Sequence, residues 1–187
     1  MNGRLVWRAW AAICLSILLM GAIDQKTQNA IKIAQLLKKI EMHHAGSSKP
    51  DLTADVTERE LNDFIGYRLA HEKGPIINDL KVSLLDDNHV QGKIILDAQR
   101  LNLALLFGEK LNFDFKGRLQ TRRGAARLDL DKLLLAGQPV HPQMLDMVLG
   151  AIALSSGTEP SRVDDWYPLP KGIDRITVKK GKATVYY

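Results

Sequence analysis

The chain has 187 residues, 45% of them hydrophobic and 25% charged, with a formal net charge of +5. That composition excludes wholesale disorder and suits one folded domain plus an appendage. The single cysteine, Cys14, rules out a disulfide within the chain, and without residues 1–23, which hold two arginines, 24 basic residues face 21 acidic ones. Such an excess is too mild for a nucleic-acid-binding protein, where one basic face usually dominates, so no nucleic-acid partner is expected, and it is compatible with an anionic membrane surface.

Arg4 and Arg8 precede an uncharged apolar run from Ala9 to Ile23. Basic residues ahead of such a run describe a secretory signal or a short anchor. Counted from Leu5, a helix to Ile23 would rise roughly 28 Å, close to a hydrocarbon core of about 30 Å with Arg8 snorkelling to its surface. Met20 stands two residues before Ala22, where signal cleavage prefers a small residue, so residues 1–23 favour an uncleaved anchor over a removed signal. Ala11-Ala12-Ile13 before Cys14 lacks the small residue of a lipoprotein site. Lys26, Lys32, Lys38 and Lys39 follow the run, so basic bias does not set the orientation. The signal-like form sets it: it predicts a single-pass protein of the inner (cytoplasmic) membrane, with the C-terminal domain extracytoplasmic and periplasmic.

Residues 24–50 read as an amphipathic helix and linker. Ala30, Ile33, Leu37 and Ile40 recur at helical spacing among Lys and Gln. The helix can continue the anchor as a stalk, lie at the lipid interface, or pack on the domain's own core. Gly46 to Pro50 ends it, and residues 51–187 form the folded domain.

That domain opens on a helix start. Thr57 caps, Glu60 returns the bond as a capping box, and Val56 with Leu61 forms a hydrophobic staple. Leu61, Phe64, Ile65 and Leu69 share an apolar face, while Asn62, Asp63 and Arg68 fall off it. From Ile76 the period changes to two. Leu80, Val82 and Leu84, a turn at Asp86-Asp87-Asn88-His89, then Val90, Gly92, Ile94 and Leu96 make a hairpin with one apolar face. Gly92 on that face predicts close approach by another element, the first helix of the domain. The stretch Ala98 to Lys110 fits either period and is taken as strand. A second hairpin follows: Leu111, Phe113, Phe115, Gly117 and Leu119 alternate, Arg122-Arg123-Gly124-Ala125 turns, and Leu128 and Leu130 resume. Pro142 opens a helix with Leu145, Val148, Leu149 and Ile152 on one face. The last hairpin pairs Ile176 and Val178 with Ala183, Val185 and Tyr187 around Lys180-Gly181. Helix, strands, helix and closing hairpin predict an α+β fold, a curved antiparallel sheet packed around one or two helices and preceded by the N-terminal transmembrane or signal helix.

The order of "TERELNDFI", "LDLDKLLLAGQPVHPQML" and "LPKGIDRITVKKGKATV" resembles small bacterial envelope proteins related to the tubular lipid-binding (TULIP-like) group. The resemblance covers Asp51 to Tyr187 and lies in hydrophobic pattern and Gly/Pro punctuation. It implies a long, strongly curved sheet wrapped around helix, an elongated apolar groove for lipid chains, and a Leu169-Pro170-Lys171-Gly172-Ile173 turn launching the final strand into that sheet. The chain is shorter than the two-module lipid transfer proteins, and the group carries over no active-site residue.

Reactive constellations do not stand out. Of the histidines at 43, 44, 71, 89 and 141, the pair His43-His44 lacks a third ligand at metal spacing, and His89 in a turn and His141 beside Pro142 read as solvated. Asp86-Asp87 and Asp164-Asp165 suit turns and caps, Ser155-Ser156 lacks a nucleophile elbow, and no phosphate-binding glycine loop occurs. The expectation is a protein that is not an enzyme and needs neither cofactor nor metal. Instead, alternating apolar strand positions exceed what two short helices cover. This predicts a membrane-anchored envelope domain that binds lipid or another apolar ligand in a groove between sheet and helix. Leu61, Phe64, Ile65 and Leu69 line it from one helix, Phe113 and Phe115 from the sheet, and Leu145, Val148, Leu149 and Ile152 from the other helix. Arg118, Arg122, Arg123 and Arg127 around a hairpin tip, with Trp166 and Tyr167, are the candidates for docking to a membrane or a partner. The alternative is a structural or assembly protein that binds an envelope protein through a sheet edge or that arginine-rich tip.

Overall fold

A computed structural model describes residues 25–43, 52–72 and 74–187; the apolar run at 1–23 with Cys14, His44 and the linker Gly46 to Pro50 lie outside them. In chain order the elements are α1 (25–43), β1 (Thr53–Thr57), α2 (Glu58–His71), β2 (Ile77–Leu84), β3 (His89–Asp97), α3 (Ala104–Phe107), β4 (Lys110–Arg122), β5 (Ala125–Leu135), β6 (Gln138–Pro139), α4 (Pro142–Ser156), β7 (Tyr167–Pro168), β8 (Arg175–Lys179) and β9 (Lys182–Tyr186). The class is α+β, with antiparallel strands in open sheets and a few helices. No helix among the described residues is long and apolar enough to cross a membrane.

Strands pair in two sheets. The larger has six strands, ordered β2-β3-β4-β5-β6 with β7 also on β5, and the smaller is ordered β1-β9-β8. Both expected long hairpins form: Val82 stands opposite Gly92, and Arg122 opposite Ala125 across the Arg123-Gly124 turn. The final strand enters the middle of the smaller sheet, between β1 and β8, and Tyr187 exchanges backbone bonds with Leu52 at 3.0 and 3.1 Å. One face of that sheet carries Ala54, Val56, Ile176, Val178, Ala183 and Val185 and is apolar; Thr53, Asp55, Thr184 and Tyr186 alternate onto the other.

Three clusters divide the interior. Leu96, Leu111, Phe113 and Leu133 of the large sheet meet Val148 of α4. Leu84 and Val90 meet Val178 and Ala183 where the sheets pack together. Ile33 and Ile40 of α1 meet Val56, Ile173, Val185 and Tyr187. Of the three placements open to the helix at 25–43, this is packing on the core. Polar bridges join the sheets: the Asn88 side chain accepts from the Val178 amide at 2.7 Å, and the Thr121 hydroxyl donates to the Ile176 carbonyl at 2.9 Å.

The capping box is present: Glu60 N–H donates to the Thr57 hydroxyl at 3.2 Å, and Thr57 N–H donates to the Glu60 carboxylate at 2.9 Å. At the start of α4, Pro142 follows an N-cap supplied by His141, whose ring nitrogen accepts from Gln143 N–H at 3.4 Å. Two expectations need correction. Ala98 to Lys110 does not run as one strand. The Asp97 carboxylate accepts from the amides of Gln99 and Arg100, turning the chain, and Leu103 is the N-cap of the single-turn helix α3. Gly92 makes room not for a helix but for the Phe115 ring of β4: a Cβ there would stand 2.6 Å from that ring and 2.5 Å from the Lys81 carbonyl. Asn62 and Asp63 are off the apolar face, as read, yet both bind other elements. Asp63 accepts from the buried Asn29 amide of α1 at 2.7 Å.

Two carboxylates tie stability to pH. The Lys182 ammonium, 2.8 Å from Asp55, together with the Thr184 hydroxyl, holds the Asp55 pKa below the usual carboxylate range. Partial burial raises that of Glu60, but bonds from Lys32 and from the Thr57 amide and hydroxyl outweigh it, and the net shift is downward. A carboxylate held low in the fold stabilises it above the unfolded value, and that contribution is lost as pH falls through the folded value. Stability should therefore be level near neutrality and decline below about pH 4. Urea titrations across that range should give a shallower decline in Glu60→Gln.

Candidate functional site

Helix α1 crosses α2 with Ala30, Ile33 and Ile40 turned into the core, and this leaves a neighbouring stripe open. Ala30, Ile31, Ala34 and Leu37 of α1 face Phe64 and Tyr67 of α2 across an apolar groove of about 450 Å³. Lys38 and Arg68 stand at its rim with Gln35. Asn29 bonded to Asp63, and Lys32 paired with Glu60, fix the two helices to each other at one side of it. A second depression, lined by Tyr67, Arg68, His71 and Glu72, shares two residues with the first and extends it toward the end of α2. The His71 ring stacks at 4.1 Å on Tyr67 there. An apolar slot with a cationic rim can accept a hydrocarbon chain and attract an anionic head.

The groove candidates read from the sequence do not share one wall. Phe64 lines the slot between α1 and α2, and Leu61 packs beneath it between two core clusters. Ile65 and Leu69 are half-buried on α2. Phe113 and Val148 are 0% and 1% exposed, and with Leu145 and Ile152 they fill the space between α4 and the large sheet. Phe115 bridges two clusters, and Leu149 is half-buried on α4. Ile31 and Ala34 were missed as lining residues. Their signal was an apolar position beside the stripe, since Ile31 next to Ala30 widens the face beyond what one core contact needs.

The docking candidates fall closer together. Trp166 lies under two guanidinium groups, Arg122 at 4.1 Å and Arg127 at 5.1 Å from its ring centroid. Arg127 is held by Asp129 at 2.8 Å. Arg118 is exposed on the same face of β4, opposite Asp129, and Arg123 is exposed in the turn. Tyr167 pairs with Ala126, and its hydroxyl donates to the Arg162 carbonyl at 2.6 Å. Elsewhere, α3 turns Leu105 and Leu106 outward, 101% and 72% exposed, and α4 does the same with Leu154 at 80%.

His43, His71, His89 and His141 lie on separate elements, and no group of three metal-ligating side chains occurs among the described residues. No protein-family model and no curated protein matches this chain.

Proposed function

We propose that this chain is a membrane-anchored envelope domain that holds the hydrocarbon chain of an anionic lipid between α1 and α2. The observation that carries the reading is the apolar groove of about 450 Å³ with Lys38 and Arg68 at its mouth, a volume inside the range of about 300–1,000 Å³ typical of small-ligand sites. Its walls are hydrocarbon, so a guest chain gains by leaving water. The cationic rim selects an anionic headgroup over a neutral one. The apolar run that ends at Ile23 precedes α1 by one residue of sequence, which suits a groove loaded from the bilayer. The exposed leucines of α3 and α4 are a further apolar surface of the kind that meets membranes.

The test uses the full chain reconstituted in lipid bilayers with a phospholipid bearing a photoreactive acyl chain. Label should reach Ala34 or Phe64 in addition to the anchor, and Ala34→Trp, which fills the groove, should remove label from α2 while leaving it in the anchor. Labelling confined to residues 1–23 sinks the proposal. A second reading, docking of an envelope protein, draws on the exposed Arg122 stacked over Trp166, because arginine and tryptophan are enriched where interfaces concentrate their energy. The same reconstitution separates the two: a protein adduct at the tip supports the second, and lipid adducts in the groove the first.

A further inference from the structure

The outer face of the large sheet carries a second feature, independent of the groove. We propose that it binds a ligand bearing two or more phosphate groups, through Lys81, Lys93, Lys116 and Lys132. These four come one from each of β2, β3, β4 and β5, and together with Ser83 and Gln91 they surround a single depression of about 440 Å³. Their arrangement follows from register. Lys81 stands opposite Lys93 and Lys116 opposite Lys132, while Lys93 and Lys116 are diagonal neighbours, about 7–8 Å apart along the ladder. Ser83 opposite Gln91 adds hydroxyl and amide hydrogen-bond donors in the same hollow.

Like charges directly opposite one another destabilise a sheet, and here two such pairs adjoin. Asp114 is the one carboxylate lining the depression, and it stands opposite Lys93 without forming an ion pair with it. All four lysines are exposed, and none forms an ion pair among the described residues. The small sheet supplies the contrast. Lys179 stands opposite Lys182, but there Asp55 pairs with Lys182 at 2.8 Å. The charge missing from the large sheet is therefore one that a bound anion supplies. The concavity favours a compact oligoanion over a flat, diffuse counter-charge. Its phosphates therefore belong to one soluble compound, and the experiment separates this occupant from adjacent lipid headgroups.

The full chain is placed in bilayer discs of neutral phosphatidylcholine and titrated with inorganic tripolyphosphate. Binding is expected, weakening with added salt as exposed charge pairs do. Lys93→Gln with Lys116→Gln should weaken it on the order of tenfold or more, the size expected when charge-assisted bonds are removed. The same double variant, without ligand, should melt at a temperature no lower than the parent, because repulsion is relieved. A second variant, Lys81→Gln with Lys132→Gln, should repeat both results. In discs containing phosphatidylglycerol, unchanged tripolyphosphate binding supports the proposal, and its loss assigns the lysines to lipid headgroups and overturns it. No binding in neutral discs, or equal binding by parent and variants, overturns the proposal.

Discussion

Phe113→Ala should lower the folding free energy by about 3–5 kcal/mol, the cost of emptying a large side chain from a closed core. Phe113 is 0% exposed near the start of β4, with Ile94 opposite it on β3 and Leu135 on β5. Val148 of α4, itself 1% exposed, belongs to the same cluster, so neither wall can collapse without moving a helix or a strand. Against a total of about 5–15 kcal/mol for a domain, this is a large fraction. Denaturant unfolding should show the midpoint fall with little change in slope. Leu105→Ala is the control: that side chain is fully exposed and its loss should leave stability within about 0.5 kcal/mol.

The same variant bears on the proposed ligand. Side chains of the protein occupy the space between α4 and the sheet, whereas the slot between α1 and α2 is open. Phe113→Ala at a temperature where it remains folded should therefore leave lipid labelling of Ala34 and Phe64 unchanged. If labelling moves to β4 and α4 in the parent chain, the guest lies under the sheet and the assignment to the α1–α2 slot fails.

Much of the local structure was legible because one period ruled each segment. Alternation from Leu80 to Leu96 and from Leu111 to Leu130 dictated both hairpins, since a slip of one residue would turn every leucine to water. Thr57 and Glu60 announced α2 through bonds that need only four consecutive residues. Features resting on partners distant in sequence were not legible. β1 has two inward apolar residues, Ala54 and Val56, and it is a strand because β9, more than a hundred residues later, offers an edge. The turn after Asp97 depends on one carboxylate capturing two amides, a bond that competes with the strand suggested by Leu101, Leu103 and Leu105. For the candidate site, helical spacing found the buried stripe of α1. It did not find the groove, which exists only once α2 lies alongside. The lysine face was equally hidden, because register and not spacing sets one lysine opposite another.

Asn62→Leu should cost about 2–4 kcal/mol, and its effect should extend beyond stability. Helix α2 runs along the outer edge of β2, where strand amides would otherwise lack partners. The Asn62 carboxamide takes the place of a strand there: it accepts from Val82 N–H at 2.8 Å and donates to the Val82 carbonyl at 2.7 Å. Glu58 continues the row by accepting from Leu84 N–H at 2.8 Å. Leucine is close in size but offers neither group, so a part-buried N–H and C=O are left unpaired, each at the lower end, about 1–2 kcal/mol, of the cost of an unsatisfied buried group. Asn62→Asp keeps the acceptor, but it sets a carboxylate against the Val82 carbonyl and four residues from Glu58, so it should be no more stable than Asn62→Leu. An uncovered edge also invites another strand. Sedimentation of Asn62→Leu in mild denaturant should show more self-association than the parent under the same conditions, and adding Val82→Pro, which removes the exposed N–H, should reduce it. A variant as stable as the parent and no more prone to associate would mean that apolar contact alone holds α2 against β2, with the paired amide contributing nothing.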